Sequence, residues 1–321
     1  MAGRRRSAAS GGGALLSRGR ADALSRYSSR HARDAPGTGR AAAETQTLKL
    51  QSYLDRIGYH GRVEPNIATL TALQEAHVCS VPFENLDLLL RRPVTTRVED
   101  AYHKIVNNLR GGWCYEQNGL FGWALSEIGF DVARTAANVM RDERGEAGEA
   151  GHLCLLVRLP DSRTRYLVDV GFGGSLIRPI ALREARYEQE PFQLGLERLD
   201  DGYWRFWESL GKGKFSFDFV EEPACESSLA RKSTLLQTDP ASHFVINLVA
   251  QKRSRRAHRM LRGRVFRVAK AGSSESRIVD SPEALVSLLA NEFRLKVPGI
   301  AELWPQITAR HEELFATGSV Q

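Results

Sequence analysis

The chain has no run of 18 or more apolar residues, which argues against a membrane-spanning helix. It has only four cysteines in 321 residues, at positions 79, 114, 154 and 225, and no Cys-x-x-Cys pair. Cysteines this sparse are not typical of zinc sites or of the dense disulfide frameworks of secreted domains. We therefore expect no metal, a cytoplasmic location with a reducing environment, and cysteines that remain free thiols.

The body of the chain also lacks an excess of charge. The 45 Lys and Arg against 38 Asp and Glu give a net charge of +7. Residues 1–40 contain nine arginines and two aspartates, so this segment carries the whole +7 and residues 41–321 are formally neutral. The segment is rich in Ala, Ser and Gly, and it cannot bury enough apolar surface to offset its ordering entropy. We predict that residues 1–46 are a disordered, Arg-rich extension.

Three interpretations of this extension stay open. It is an incidental addition caused by a start site assigned too far upstream, an organelle transit peptide, or an arm that binds an anionic partner. A non-catalytic nucleic-acid binder that uses the extension is therefore an alternative function, although the neutral body argues against it.

The run RGGWCYEQN at residues 110–118 places Cys114 just after two glycines and at the start of a predicted helix. Leu120, Phe121 and Leu125 recur at helical intervals, and Gly129 supplies a stop signal. A thiol in the first turn of a helix lies near the positive end of the helix dipole, which favours the reactive thiolate. Cys114 is therefore a candidate nucleophile.

Two strands downstream supply candidate partners for Cys114. They are predicted at residues 152–159 and 166–170, joined by a four-residue loop at 160–163. In an antiparallel hairpin with this loop, Cys154 faces Asp169, and His152 is diagonal to Asp169 on the same sheet face. Such neighbours are about 7–8 Å apart at the backbone, so the carboxylate can accept the Nδ1 proton of the imidazole. The other ring nitrogen then faces the thiol, as a cysteine nucleophile requires.

Glu116 lies two residues from Cys114, where a negative charge opposes thiolate formation. We expect its side chain to turn away and to pair with Arg110. The pairing requires that their charged groups lie within about 4 Å of each other.

Four motifs together resemble the signatures of the arylamine N-acetyltransferases. They are RGGWCYEQN at 110–118, HVCSVPFENLD at 77–87, VDVGFGG at 168–174 and, more weakly, TDPASHF at 238–244. The resemblance covers roughly residues 48–290 in order. It implies a catalytic triad of Cys114, His152 and Asp169.

The resemblance also implies a reaction and its binding residues. An acetyl group passes from acetyl-CoA, a co-substrate rather than a tightly bound cofactor, through an acetyl-cysteine to an arylamine, arylhydrazine or N-hydroxyarylamine. The positions that match the acceptor pocket are Phe83, Val139, Gly151 and Phe172, and Gly151 also lies in the region where the coenzyme passes. The positions that match the coenzyme site are Gly173, Gly174 and Ser175.

The order of predicted elements indicates an α+β fold in three parts after the extension. A helical bundle over residues 47–130 carries the nucleophile, a central β-barrel over 131–230 carries His152 and Asp169, and an α/β lid covers 231–321. The family fold has this order and a core like that of cysteine proteases and transglutaminases. The reaction centre then lies between the first two parts.

Two further alternatives remain from the sequence. The same triad order fits an amide synthase or another transglutaminase-like acyltransferase or hydrolase. A local arginine cluster is either a solvated face or a contact for the coenzyme phosphates; its members are Arg253, Arg255, Arg256, Arg259, Arg262 and Arg264. The strand predicted at 203–207 is interpreted as core rather than as a ligand platform.

Overall fold

A computed structural model describes residues 48–211 and 213–316. The predicted extension, at residues 1–46, lies outside the described residues. The helices in chain order are α1 (Leu50–Ile57), α2 (Ile67–Ser80), α3 (Leu86–Leu89), α4 (Val98–Tyr102), α5 (Cys114–Ile128), α6 (Arg141–Arg144), α7 (Glu226–Thr238), α8 (His243–Ile246), α9 (Pro282–Phe293) and α10 (Trp304–Ala316). A π-helical segment lies at His103–Asn107, and 3₁₀ segments lie at Gly145–Gly148 and Ile300–Leu303.

The thirteen described strands form two antiparallel sheets. They are β1 (Phe83–Glu84), β2 (Asp131–Val139), β3 (His152–Arg158), β4 (Arg165–Val168), β5 (Ile180–Ala181), β6 (Ala185–Gln189), β7 (Phe192–Arg198), β8 (Trp204–Ser209), β9 (Phe215–Phe219), β10 (Val249–Arg253), β11 (Ala257–Arg262), β12 (Val265–Lys270) and β13 (Ser273–Ile278). Eight of them form the larger sheet, in the order β5-β4-β3-β2-β9-β8-β7-β6. The other five form the smaller sheet, in the order β1-β10-β11-β12-β13.

The larger sheet is curled into a half-barrel, whereas the sequence analysis predicted a barrel. Its edge strands β5 and β6 are not hydrogen-bonded to each other. The concave face is filled by apolar side chains, among them Phe192, Phe206 and Phe217, which form one buried cluster with the inward residues of β2 and β3. Because side chains close the interior, the sheet does not need to close on itself.

The predicted hairpin of β3 and β4 is confirmed in its register. Leu155 faces Val168 and Arg158 faces Arg165, as the four-residue loop requires. The same register, extended by one position beyond β4, sets Cys154 opposite Asp169. His152, the first residue of β3, therefore lies on the same face as Asp169.

The helices at the start of the described chain enclose a core behind α5. Tyr53 of α1 and His77 of α2 are fully buried, and the Tyr53 hydroxyl lies 2.8 Å from Nδ1 of His77. His77 Nε2 lies 3.1 Å from the side-chain oxygen of Gln117 on α5. Burial lowers the pKa of His77 to about 3, so this histidine is neutral and ties three helices together.

The last part of the chain contains a short helix directly before a strand. His243–Ile246 is helical, although Phe244, Val245 and Ile246 are typical of strands, and the strand begins at Val249. The Ser242 hydroxyl caps this helix by accepting from the amide of Phe244 (3.3 Å). A local side-chain cap thus outweighs the β propensity of Phe244, Val245 and Ile246. The predicted part boundaries near residues 130 and 230 stay predictions.

No helix among the described residues is long and apolar enough to cross a membrane.

Candidate active site

Cys114 is the first residue of α5, as the glycine pair and the apolar pattern predicted, and its side chain is buried. The glycines before it lie against neighbouring chain: a Cβ on Gly112 would lie 2.9 Å from Oε2 of Glu116. That same oxygen accepts from the backbone amide of Trp113 (3.2 Å), which closes the helix start. The backbone around Cys114 is therefore fixed from both sides.

Glu116 does turn away from Cys114, but its predicted partner was wrong. Lys104 donates to both of its carboxylate oxygens, at 3.0 and 2.9 Å. Arg110 instead donates to Glu84 (2.8 Å) and Asp87 (3.2 Å), because its side chain points toward β1 and α3. These five residues, Glu84, Asp87, Lys104, Arg110 and Glu116, are called the helix-side network below.

Lys104 and Asp87 of the helix-side network are stabilised in their charged forms despite burial, whereas burial raises the pKa of Glu116. Burial lowers the pKa of Lys104, but the negative charges of Glu116, Glu84 and Asp87 outweigh it and raise the pKa above its usual value. Likewise, burial raises the pKa of Asp87, but Lys104 and Arg110 bring it below its usual value. Both groups are therefore held in their charged forms.

His152 and Asp169 are brought together as the hairpin register predicted, and both are buried with Cys114. One detail of the prediction was wrong: Nε2 of His152, not Nδ1, donates to Oδ2 of Asp169, at 2.6 Å. Nε2 is the ring nitrogen farther from the backbone, so it reaches the diagonal carboxylate. Nδ1 is then the nitrogen left for the thiol of Cys114 on α5, which packs against β3.

The environment of His152 favours the imidazolium. Burial alone lowers its pKa, but the charge and hydrogen bond of Asp169 raise it, and Cys114 adds a hydrogen bond and a charge. The net result is a pKa of about 10. The charged form of the imidazole is therefore favoured beside Asp169 and Cys114.

Asn118 positions Asp169, a role that the sequence analysis did not assign. Its amide nitrogen donates to Oδ1 of Asp169 (2.8 Å), and its oxygen accepts from the amide of Val170 (2.9 Å). Asn118 lies four residues after Cys114, on the same face of α5. This i, i+4 spacing was the available signal.

Gly171 allows the strand end to approach the helix start. A Cβ there would lie 2.7 Å from Cα of Cys114 and 2.7 Å from the amide nitrogen of Asn118. Its own backbone amide donates to Oδ1 of Asp169 (2.8 Å). Asp169 is thus held by a helix residue, by its own loop and by the imidazole.

Three of the predicted acceptor-pocket residues pack in the two apolar clusters next to this centre. The ring of Phe172 lies 4.9 Å from the imidazole of His152 between centroids. Val139 faces Phe217 across β2 and β9 and belongs to the same apolar cluster as Phe172. Phe83 packs instead in the cluster that contains Cys114. The two phenylalanines therefore belong to different clusters, one beside the base and one that contains the thiol.

Gly151 directly precedes His152, and its amide donates to the carbonyl of Gly148 (3.1 Å). The neighbouring carbonyl of Ala150 accepts from the hydroxyl of Tyr115 (2.6 Å). The loop that contains Gly151 is therefore fixed to the residue after Cys114.

The predicted coenzyme residues form a loop that lies on β10. Gly173 and Gly174 have φ angles of 83° and 91°, which favour glycine, and a Cβ on Gly174 would lie 3.1 Å from Cβ of Arg253. Ser175 is buried. A crevice too narrow for a water molecule runs beside this loop, lined by Phe83, Val170, Gly173, Gly174, Gln251 and Arg253 among others.

A larger pocket, of about 870 Å³, lies elsewhere, between the ends of α1 and α2 and the turn at Ser254 and Arg255. None of Cys114, His152 and Asp169 lines it. We place the candidate site at the three side chains because their chemistry, and not cavity size, defines it.

The predicted arginine cluster does not form one face. Arg253 is buried and donates to the carbonyls of Gln189 and Glu190. Arg255 pairs with Glu75, and Arg259 pairs with Glu292 (2.9 Å). Arg253 at the end of β10, Arg255 in the turn that follows and Arg259 on β11 therefore have separate partners. A role of the cluster in binding the coenzyme phosphates stays a prediction.

Comparison with known proteins identifies the family of this chain. The family model described as N-acetyltransferase matches residues 66–302. An arylamine N-acetyltransferase of Mycolicibacterium smegmatis is 37% identical over 261 residues, which cover 79% of this chain and 94% of the relative. The chain therefore belongs to the arylamine N-acetyltransferase family, and it is an acetyltransferase enzyme.

Solved structures of the family have the same fold. The enzyme from M. tuberculosis has a TM-score of 0.73 at 33% identity and covers 81% of this chain and 99% of its own. The Mycobacterium marinum enzyme, solved in complex with CoA, has a TM-score of 0.73 at 31% identity and covers 83% and 99%. The mixed fold with its curled sheet is thus shared with these proteins.

Proposed function

We propose that the protein transfers an acetyl group from acetyl-CoA to an arylamine, arylhydrazine or N-hydroxyarylamine through an acetyl-cysteine on Cys114. The observation that supports this most directly is the buried imidazole of His152, which is bonded to Asp169 through Nε2 and leaves Nδ1 for the thiol. The CoA complex of the M. marinum relative supports acetyl-CoA as the co-substrate. We assign the roles of nucleophile, acid–base and orienting carboxylate to Cys114, His152 and Asp169.

In the first half-reaction the thiolate of Cys114 attacks the thioester carbonyl of acetyl-CoA. The new bond joins the acetyl carbon to Cys114, and the bond to the CoA sulfur breaks. The leaving sulfur takes the proton of the His152 imidazolium, so free CoA departs and His152 becomes neutral. The first backbone amides of α5 stabilise the oxyanion.

In the second half-reaction the neutral amine attacks the acetyl carbon. The carbon–sulfur bond to Cys114 breaks, and Nδ1 of His152 takes the proton of the amine, which restores the thiolate–imidazolium pair. Aromatic amines are unprotonated at neutral pH, and the rings of Phe83 and Phe172 offer apolar surface near the thiol and the imidazole. Gly151 and the Gly173–Ser175 loop line the coenzyme path in this proposal.

The arrangement also supports a core of the cysteine-protease and transglutaminase type. A cysteine at a helix start faces a histidine and an acid on adjacent strands of an antiparallel sheet. In that type of site the third residue orients the imidazole from the far ring nitrogen, as Asp169 does here.

Intact-mass measurement after exposure to acetyl-CoA tests this function. We expect one added acetyl group on wild-type protein and none on Cys114→Ser, with loss of amine acetylation. Cys225→Ser is the matched control. Cys225 is exposed, and hydrogen bonds from Ser227 and Ser228 lower its pKa to about 7, so it is the thiol to test for adventitious acetylation.

We expect the Cys225→Ser variant to keep both the added acetyl group and turnover. An acetyl group that persists on Cys114→Ser, together with turnover, would contradict a covalent route through Cys114.

A further inference from the structure

Glu208 on β8 is half-buried, with one carboxyl oxygen shielded from solvent, and it differs from the buried carboxylates among the described residues. Those others all contact a cationic side chain or His152: Glu84 with Arg110, Asp87 with Lys104, Glu116 with Lys104, Asp169 with His152, and Asp218 with Arg205. Glu208 makes no ion pair with any described residue, and its Oε2 is shielded from solvent without a hydrogen-bond partner. Burying a carboxyl oxygen without a partner is costly, so this exception calls for a ligand.

Glu208 is placed beside the aromatic rings near the base. On β8 it shares a sheet face with Phe206, and across the ladder it faces Phe215. Phe215 stacks on Phe172 with centroids 5.1 Å apart and 16° between planes, and Phe206 also contacts Phe172, at 6.2 Å. Phe172 thus contacts both the imidazole of His152 and the ring of Phe215, which is the cross-strand neighbour of Glu208.

Further unpartnered polar atoms lie near Glu208. Nε and Nη1 of Arg253 and Nδ1 of His258 are buried without a hydrogen-bond partner in the described structure, and the hydroxyl of Ser175 lies in hydrogen-bonding range of the Glu208 carboxyl. Arg253 and His258 face each other across β10 and β11, and Nε2 of His258 donates to the carbonyl of Gly173 (2.8 Å). Ser175, Glu208, Arg253 and His258 are called the sheet-side cluster below.

We propose that Glu208, with Ser175 beside it, is the specificity-determining group at the far end of the acceptor pocket, and that it selects aromatic amines with a second hydrogen-bond donor on the ring. A hydroxyl or second amino group fits, because the unpartnered carboxyl oxygen accepts a hydrogen bond. The inference rests on the proposed function: the ring of the acceptor packs on Phe172, its amine faces Cys114, and its opposite substituent points toward Glu208.

The electrostatic environment leaves the carboxyl of Glu208 available to such a ligand. Burial raises its pKa to about 8, with a further rise from the charge of Asp169. A hydrogen bond from Ser175 and the charges of His152 and Arg253 lower the pKa without outweighing burial. No neighbouring cation fixes the carboxyl, in contrast to the carboxylates of the helix-side network.

The experiment compares 4-aminophenol with 4-methylaniline as acceptors for the full-length enzyme. The hydroxyl and methyl groups are similar in size, and the ratio of kcat/KM for the two amines cancels the donor half-reaction. For Glu208→Leu we expect this ratio to fall about tenfold from its wild-type value, mainly through KM for 4-aminophenol. Glu208→Gln keeps a hydrogen-bonding group and is expected to stay within about threefold of wild type.

Controls separate this inference from the proposed function. Glu188→Leu removes an exposed carboxylate from the same sheet and should leave the ratio unchanged. Acetylation of Cys114 by acetyl-CoA should be normal in every variant, so a wild-type enzyme that acetylates neither amine contradicts the proposed function instead. An unchanged ratio in an active Glu208→Leu enzyme overturns the inference. If Glu208→Leu does not fold, Ser175→Ala decides: a fall of about threefold supports the inference and no change overturns it.

Discussion

Below the first turn of α5, each carboxylate of the helix-side network lies within hydrogen-bonding distance of Lys104 or Arg110, at 2.8 to 3.2 Å. In the sheet-side cluster, Glu208 and Arg253 influence each other's pKa but form no ion pair. Paired charges fix a geometry, and in this protein they fix the turn that presents Cys114. Unpaired buried groups keep their hydrogen-bonding capacity for something that binds.

The largest expected effect concerns the close pair of His152 and Asp169 at the larger sheet. Asp169→Asn keeps the shape of the side chain but removes the charge that raises the pKa of His152. We expect kcat/KM to fall about 10³-fold or more, because the imidazole loses its orientation and its charged form. The measurement is steady-state acetylation of an aromatic amine.

The pH dependence of Cys114 alkylation supplies the second readout. Titration of His152 should move from about pH 10 in the wild type toward its ordinary value near 6.5 in Asp169→Asn. Asp131→Asn, at an exposed ion pair with Arg158, is the matched control and should change neither measurement. An unshifted alkylation profile would show that Asp169 does not set the ionisation of His152.

The second effect tests whether the helix-side network is structural. Lys104→Met leaves Glu116 and Asp87 buried with one cation fewer. We expect a loss of about 3–5 kcal/mol in the free energy of unfolding, since each broken buried pair leaves an uncompensated charge. Urea unfolding measures it.

Lys270→Met is the control, because Lys270 is exposed at the end of β12. It should change stability by less than about 0.5 kcal/mol. Equal stabilities of Lys104→Met and wild type would mean that the network does not hold the start of α5.

Local patterns in the sequence were sufficient to predict the helix that carries Cys114 and the strand register at His152. The helix that begins at Cys114 follows from the apolar period and its glycine stop, and the register that brings His152 to Asp169 follows from a four-residue loop. These are short-range constraints, which sequence patterns express well. The catalytic roles of the three residues stay predictions.

Long-range choices could not be predicted in the same way. Glu116 has two cations nearby in sequence, and only the fold decides that Lys104 is its partner. Likewise, the ring nitrogen that meets Asp169 depends on how α5 packs on β3. Glu208 was missed because an acid in an alternating strand looks solvent-facing until the curl of the sheet turns that face inward.

The smallest expected effect is a pH dependence of stability that has opposite signs for the sheet-side cluster and the helix-side network. The pKa of Glu208 lies above its unfolded value of 4.5, so its contribution to stability is complete below pH 4.5 and is lost as the pH rises to about 8. The pKa of Asp87 lies below its unfolded value of 3.8, so its contribution is present above that pH and is lost as the pH falls. Between pH 4.5 and 8, the free energy of unfolding of wild type should fall relative to that of Glu208→Gln as the pH rises. Below pH 3.8, it should fall relative to that of Asp87→Asn as the pH falls. Each slope is at most ~1.4 kcal/mol per pH unit. If the stability difference between Glu208→Gln and wild type does not change between pH 4.5 and 8, the carboxyl of Glu208 has a charged partner in solution, and the contrast between the helix-side network and the sheet-side cluster is lost.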